Sequence, residues 1–154
     1  MMTWARSRWV LAFRILLGGT GLLPWIMAGH RSVLLEAVFG TTCHRMPERS
    51  LLLGGVQMLV CSRCAGIYLG LLTGALMPAR LWLASDWAVR HTRALALGVA
   101  LPMALDVLTQ DLGWRPSWHP ARLGTGWLLG LGLMLLAVAH LRGWAEPSPE
   151  SIRA

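Results

Sequence analysis

Apolar residues run along this chain in long blocks, not in the rhythm of helices with one wet face. Four blocks approach the roughly 20 residues a helix needs to cross a bilayer: residues 10–28, 65–83, 94–109 and 123–141. The pattern predicts four transmembrane helices. The third block is short and interrupted by Pro102, which a bilayer tolerates when neighbouring helices satisfy the freed backbone groups. Between the first two blocks the pattern changes. "SLLLGGVQMLVCSRC", from Ser50 to Cys64, reads as two short apolar strands joined at Gly54-Gly55, a dipeptide suited to the positive φ angles of a tight hairpin. The predicted fold class is therefore an all-α integral membrane protein of four transmembrane helices, with a small hairpin and knuckle carrying C-x-x-C in the first loop. Residues 1–144 form one domain, and "AEPSPESIRA", residues 145–154, reads as a disordered tail.

Four crossings have a topological consequence. The loop between the first two helices must share a membrane face with the loop between the last two. Cys43, His44, Arg45, Glu48, Arg49, Cys61, Arg63 and Cys64 then emerge beside Asp111, Arg115, His119 and Arg122. Asp106 and Gln110, one turn apart at the end of the third helix, share a helix face and can point at the same cluster.

Composition agrees with the membrane reading. The chain is 55% hydrophobic and 14% charged, outside the usual range of soluble domains. All nine tryptophans fall near segment ends, where indole rings anchor at headgroup level. The basic start and apolar run at the N-terminus resemble a signal peptide, but Arg14 lies inside the run and no A-x-A site follows, so an uncleaved first helix is expected. The formal charge of +7 comes entirely from arginine. The arginines are spread over every loop, with no basic helix or stacking platform, which excludes a nucleic-acid module. Seven lie on the side of the termini and six opposite, a balance that sets no orientation. If the motif-loop arginines serve function, the remaining bias puts both termini in the cytoplasm.

The candidate chemistry is concentrated in one window. Cys43, Cys61 and Cys64 are all of the chain's thiols. A C-x-x-C turn lets two thiolates reach one ion, with Gly66 relieving backbone strain, and Cys43 supplies a third sulfur. His44 is the nearest fourth ligand, but adjacent side chains diverge; His119, Asp106, Asp111 or water could complete a tetrahedron instead. Zinc is the expected ion, and iron is compatible with a thiolate-rich site. Two other readings stand beside this one: a redox dithiol exchanging electrons with a quinone, aided by Arg63, and inert packed thiols. Covalent c-type haem attachment is disfavoured, since Ala65 and not His follows Cys64. Arg45, Arg49, Arg63, Arg115 and Arg122 form either an anion pocket, for instance for a lipid headgroup, as in an anionic-lipid or small-anion binding or transport module, or a shell balancing the thiolates and Asp106. Asp106 is costly in an apolar helix unless paired or functional. Arg14 and Arg80 are expected to snorkel, and His30, His91 and His140 to lie at the surface.

"CHRMPERS", "CSRCAGIYLG" and "ALDVLTQDLGWRPSWHPARLGTG" resemble the prokaryotic membrane-protein family catalogued as domain of unknown function 2085, over roughly residues 40 to 132. The resemblance implies a multi-pass protein of the prokaryotic cell membrane. The residues it picks out are Cys43, His44, Arg45, Pro47, Glu48, Arg49, Ser50, Cys61, Arg63, Cys64, Gly66, Tyr68, Gly70, Asp106, Gln110, Arg115, Ser117, Arg122, Thr125 and Gly126. Leu59, Ala65 and His119 depart from the family's pattern, where proline, threonine and asparagine are common. The family supplies no activity. Expected partners are membrane lipids, with an anionic ligand or a quinone; the sequence sets no oligomeric state.

Overall fold

The computed structural model describes residues 2–29, 32–43, 46–77 and 91–145. In chain order its elements are helix α1 (Met2–Ile26), helix α2 (Val33–Gly40), a single 3-10 turn (Pro47–Arg49), strands β1 (Ser50–Leu53) and β2 (Val56–Cys61), and helices α3 (Ser62–Leu76), α4 (Thr92–Asp111) and α5 (His119–Ala145).

Among the described residues, three helices are long and apolar enough to cross a membrane: Arg8–Ile26, Arg93–Asp111 and His119–Val138. They fall on three of the four expected blocks. The block at 65–83 behaves differently. Its helix starts earlier, at Ser62, and α3 has 15 residues, about 22 Å at 1.5 Å per residue, against a hydrocarbon core of about 30 Å. Residues 78–83 of that block lie outside the described residues, as do residues 146–154 of the expected tail. Helices α1 and α4 continue through Pro24 and Pro102.

Helix α3 is the centre of the bundle, packed on α1 and α5, with α4 resting on α5. The α3–α5 contact is backbone against backbone. A Cβ on Gly66 would sit 2.2 Å from the Leu123 carbonyl oxygen, on Gly70 2.3 Å from that of Trp127, on Gly126 2.3 Å from that of Arg63, and on Gly130 2.1 Å from that of Ile67. Contact positions rise together along both helices, so α3 and α5 run parallel, each presenting a G-x-x-x-G stripe of the kind that brings membrane helices close. Gly66 therefore answers to helix packing and not to strain after the cysteine pair.

Helix α1 runs antiparallel to α3. Near its middle, the Arg14 guanidinium donates to the Ala75 carbonyl from Nε at 3.0 Å and to the Met77 carbonyl at 2.5 Å. These carbonyls belong to the last turn and the C-cap of α3, where the chain supplies no further helical N–H groups. Arg14, expected to snorkel, instead finishes the neighbouring helix.

Gly54 and Gly55 have φ of 58° and 82° and close a two-residue turn between Leu53 and Val56, as a hairpin with both turn residues left-handed requires. The register shifts between Ser50 and Leu52, and Met58, Leu59 and Val60 are all buried where a regular strand would alternate. They pack with Phe39, Cys43 and Ala65 in a small core at one end of the bundle, against Trp25, Tyr68 and Leu123. The Phe39 and Tyr68 rings meet edge to face, centroids 6.1 Å apart. Trp25 and Trp127 are thus not headgroup anchors: Trp25 packs into this core, and Trp127 donates to Thr73 Oγ1 at 3.0 Å inside the bundle. Trp9, Trp114 and Trp118 are exposed.

Candidate metal centre

The cysteines arrive from two directions. Ser32 caps α2 by accepting from the Leu35 N–H at 3.2 Å, and past the helix end the Cys43 N–H returns to the Phe39 carbonyl at 2.9 Å. This turn buries Cys43 under the hairpin. Cys61 closes β2 and is the N-cap of α3, and Cys64 stands in its first turn. The C-x-x-C is thus a strand-to-helix junction and not a free knuckle, because the apolar sequence after Ser62 propagates a helix at once. Cys43 Sγ accepts from the Cys61 N–H at 3.2 Å, and the three Sγ atoms all lie within 4.8 Å of one another. None is in a disulfide. A tetrahedral ion with bonds of about 2.3 Å to sulfur needs sulfurs about 3.8 Å apart, so the thiols are within a small closing movement of one ion.

The Cys61 thiol is held well below the usual thiol range, first by its hydrogen bond with Cys43 and then by that with Cys64, which together outweigh burial. An ion binding here must displace the protons that the thiols carry.

The cysteines line one wall of a cleft of about 310 Å³, whose other lining residues are Thr42, Met46, Arg49, Arg63 and Arg122. Behind it lies a polar network. Asp106 is 3% exposed. Its Oδ2 accepts from Arg63 Nε at 2.8 Å, and its Oδ1 accepts from Gln110 Nε2 at 2.8 Å and from the Arg115 guanidinium. Gln110 Oε1 accepts in turn from Arg122 Nε at 2.6 Å, and Arg115 Nε donates to Thr109 Oγ1 at 3.1 Å. Gln110 is therefore committed at both ends, to a carboxylate and to a guanidinium.

The residues predicted from sequence fall into separate groups. Cys43, Cys61, Cys64, Arg49, Arg63 and Arg122 meet at the cleft. Arg115 is not a cleft residue; it grips Asp106. His119, Asp106 and Asp111 stand apart from the cysteine cluster, and the Nδ1 of His119 is buried without a hydrogen-bond partner among the described residues. His44 and Arg45 lie outside the described residues. Thr42, Met46 and Thr109 were not anticipated. Thr42 had one signal, its place beside Cys43; the other two had none.

Among known proteins, residues 43–136 match the model of a family described as predicted membrane protein, domain of unknown function 2085. An uncharacterised protein of Methanocaldococcus jannaschii is 37% identical over 99 residues, covering 64% of this chain and 63% of that protein. An uncharacterised protein of Methanothermobacter thermautotrophicus is 40% identical over 101 residues, covering 64% of this chain and 86% of that protein. The chain thus spans less than two thirds of the Methanocaldococcus protein's length. No solved structure matches. The matched residues contain all three cysteines, the Asp106 network and both glycine stripes, and the chain belongs to this family of predicted membrane proteins.

Proposed function

We propose that this chain is a multi-pass protein of a prokaryotic cell membrane whose Cys43, Cys61 and Cys64 hold one metal ion, zinc, at the end of the bundle. The observation that carries this reading is the return of Cys43, from a separate element, to within 4.8 Å of both members of the C-x-x-C. Packing alone has no need to bring three thiols together. Three convergent thiolates form a soft, tetrahedral donor set that suits zinc and also accepts iron. His44, next to Cys43, is the candidate for a fourth ligand. The adjoining cleft favours a site with an accessible coordination position over a closed structural one. Helix α3 is assigned as the fourth crossing, which returns the two ends of the chain to one face.

The test is elemental analysis of protein purified in detergent without added metal, with a count of free thiols. About one zinc or iron per chain is expected, lost when any one cysteine becomes serine. Because such sites couple binding to folding, the same replacements should loosen the loop from Cys43 to Cys64. A second reading, thiol–disulfide exchange with a quinone or thiol partner, is favoured by the lowered Cys61 thiol within 4.8 Å of Cys64 and Cys43. It predicts no metal, two of the thiols joined in a disulfide that mild reductant opens, and the third free.

A further inference from the structure

The charge around the cleft does not balance. A divalent ion on three thiolates carries one net negative charge, and Asp106 carries another. Against them stand the guanidinium groups of Arg49, Arg63, Arg115 and Arg122. Arg63 and Arg115 share Asp106. Arg122 is 2% exposed, yet the one hydrogen bond that its guanidinium makes among the described residues, through Nε, goes to the neutral amide of Gln110. It makes no ion pair among the described residues, and neither does the half-buried Arg49. Glu48, beside Arg49 in sequence, is exposed and joins no ion pair there either. A guanidinium buried without a counter-charge is costly, and arginine prefers planar, paired recognition of oxyanions. Arg49, Arg63 and Arg122 all line the cleft beside the cysteines.

The geometry points to a second ligand: an oxyanion of phosphate type, held by Arg49, Arg63 and Arg122 in the cleft beside the cysteines. The volume of about 310 Å³ lies at the lower end of small-ligand pockets, so the bound group is a small one, either free phosphate or the phosphate of a lipid headgroup. The inference uses the metal reading only to set the ion's charge. A cleft without metal has the same three arginines and needs the anion as well.

The experiment takes the full chain in nanodiscs of zwitterionic phosphatidylcholine and titrates inorganic phosphate by calorimetry, with metal content measured on the same sample. Saturable binding is expected. Arg49→Gln should weaken it by about tenfold or more, the worth of one charge-assisted bond, with metal content unchanged. Arg49 is half-buried and makes no ion pair among the described residues, so its loss leaves no described partner stranded, whereas Arg122→Gln risks the fold. Arg8→Gln, at an exposed position on α1, should leave binding intact. Nanodiscs containing phosphatidylglycerol separate the sources. If they abolish phosphate binding in the wild type and in Arg8→Gln alike, the natural occupant is a headgroup; if binding persists in both, it is free phosphate. Absence of phosphate binding together with no preference for the anionic lipid overturns the proposal, as does binding that Arg49→Gln leaves unchanged. Phosphate binding by a protein without metal would overturn the metal reading and leave this one standing.

Discussion

Asp106 is the residue on which most of the buried charge depends. Its carboxylate holds Arg63, Arg115 and Gln110 at once, and Gln110 passes the contact on to Arg122. Its side chain is 1% exposed, while those of Arg63 and Arg115 are 13% and 36% exposed. Removing the shared acceptor should cost far more than removing one donor. Asp106→Asn is expected to destabilise the protein by about 3–5 kcal/mol, the usual penalty for stranding buried charges. Arg115→Gln, on the better solvated arm, should cost about 1 kcal/mol or less. Denaturant unfolding of both variants in one detergent checks the ranking; equal losses would mean that Asp106 is not the hub. The cysteines, the cleft arginines and Asp106 were legible from sequence because thiols, guanidinium groups and a carboxylate are rare and expensive in an apolar chain. Their division into a cleft and a network behind it was not legible, since the sequence places Arg115 in the loop before α5 and Arg122 in its first turn without saying which of them turns toward Asp106.

Among the elements, the glycine stripes set the distance between α3 and α5. Overpacking a tight contact costs about 1–3 kcal/mol, and a Cβ at Gly66 or Gly130 would meet main-chain oxygens at 2.2 Å and 2.1 Å, which cannot rotate away. Gly66→Ala and Gly130→Ala should each lower the midpoint of thermal unfolding and weaken metal retention. Gly124→Ala, with nothing within 4 Å of the added carbon, should do neither. The long apolar blocks announced α1, α4 and α5, and Gly54-Gly55 announced the hairpin. Helix α2 was hidden, because eight residues give too few turns for a periodic signal and several of its apolar positions, Val33, Leu34 and Val38, remain exposed. Only Ser32 before it, a serviceable N-cap, marked its start. The stripes were overlooked for a related reason: glycine reads as a breaker in water, and its use as a packing surface depends on a partner helix far away in sequence.

At the scale of the molecule, α1 rises toward the cleft, α3 leaves it, α4 returns and α5 leaves again, so that sequence-distant loops share one end. If α3 serves as the fourth crossing despite its 15 residues, epitope tags on the two ends of the chain should be reached by antibody from the same membrane face. Tags on opposite faces would mean an odd number of crossings and leave α3 as a re-entrant segment. The direct backbone contact between α3 and α5 has one more effect. Cys61, Arg63 and Cys64 ride on one of these helices and Arg122 on the other, and where the glycine stripes bring backbone against backbone they behave as a single jaw of fixed gape. Cys43 belongs to the opposing part, the turn beyond α2. Whatever ties its sulfur to the other two acts as a clasp between jaw and cap, and its removal would unfasten the cap while leaving the jaw in shape.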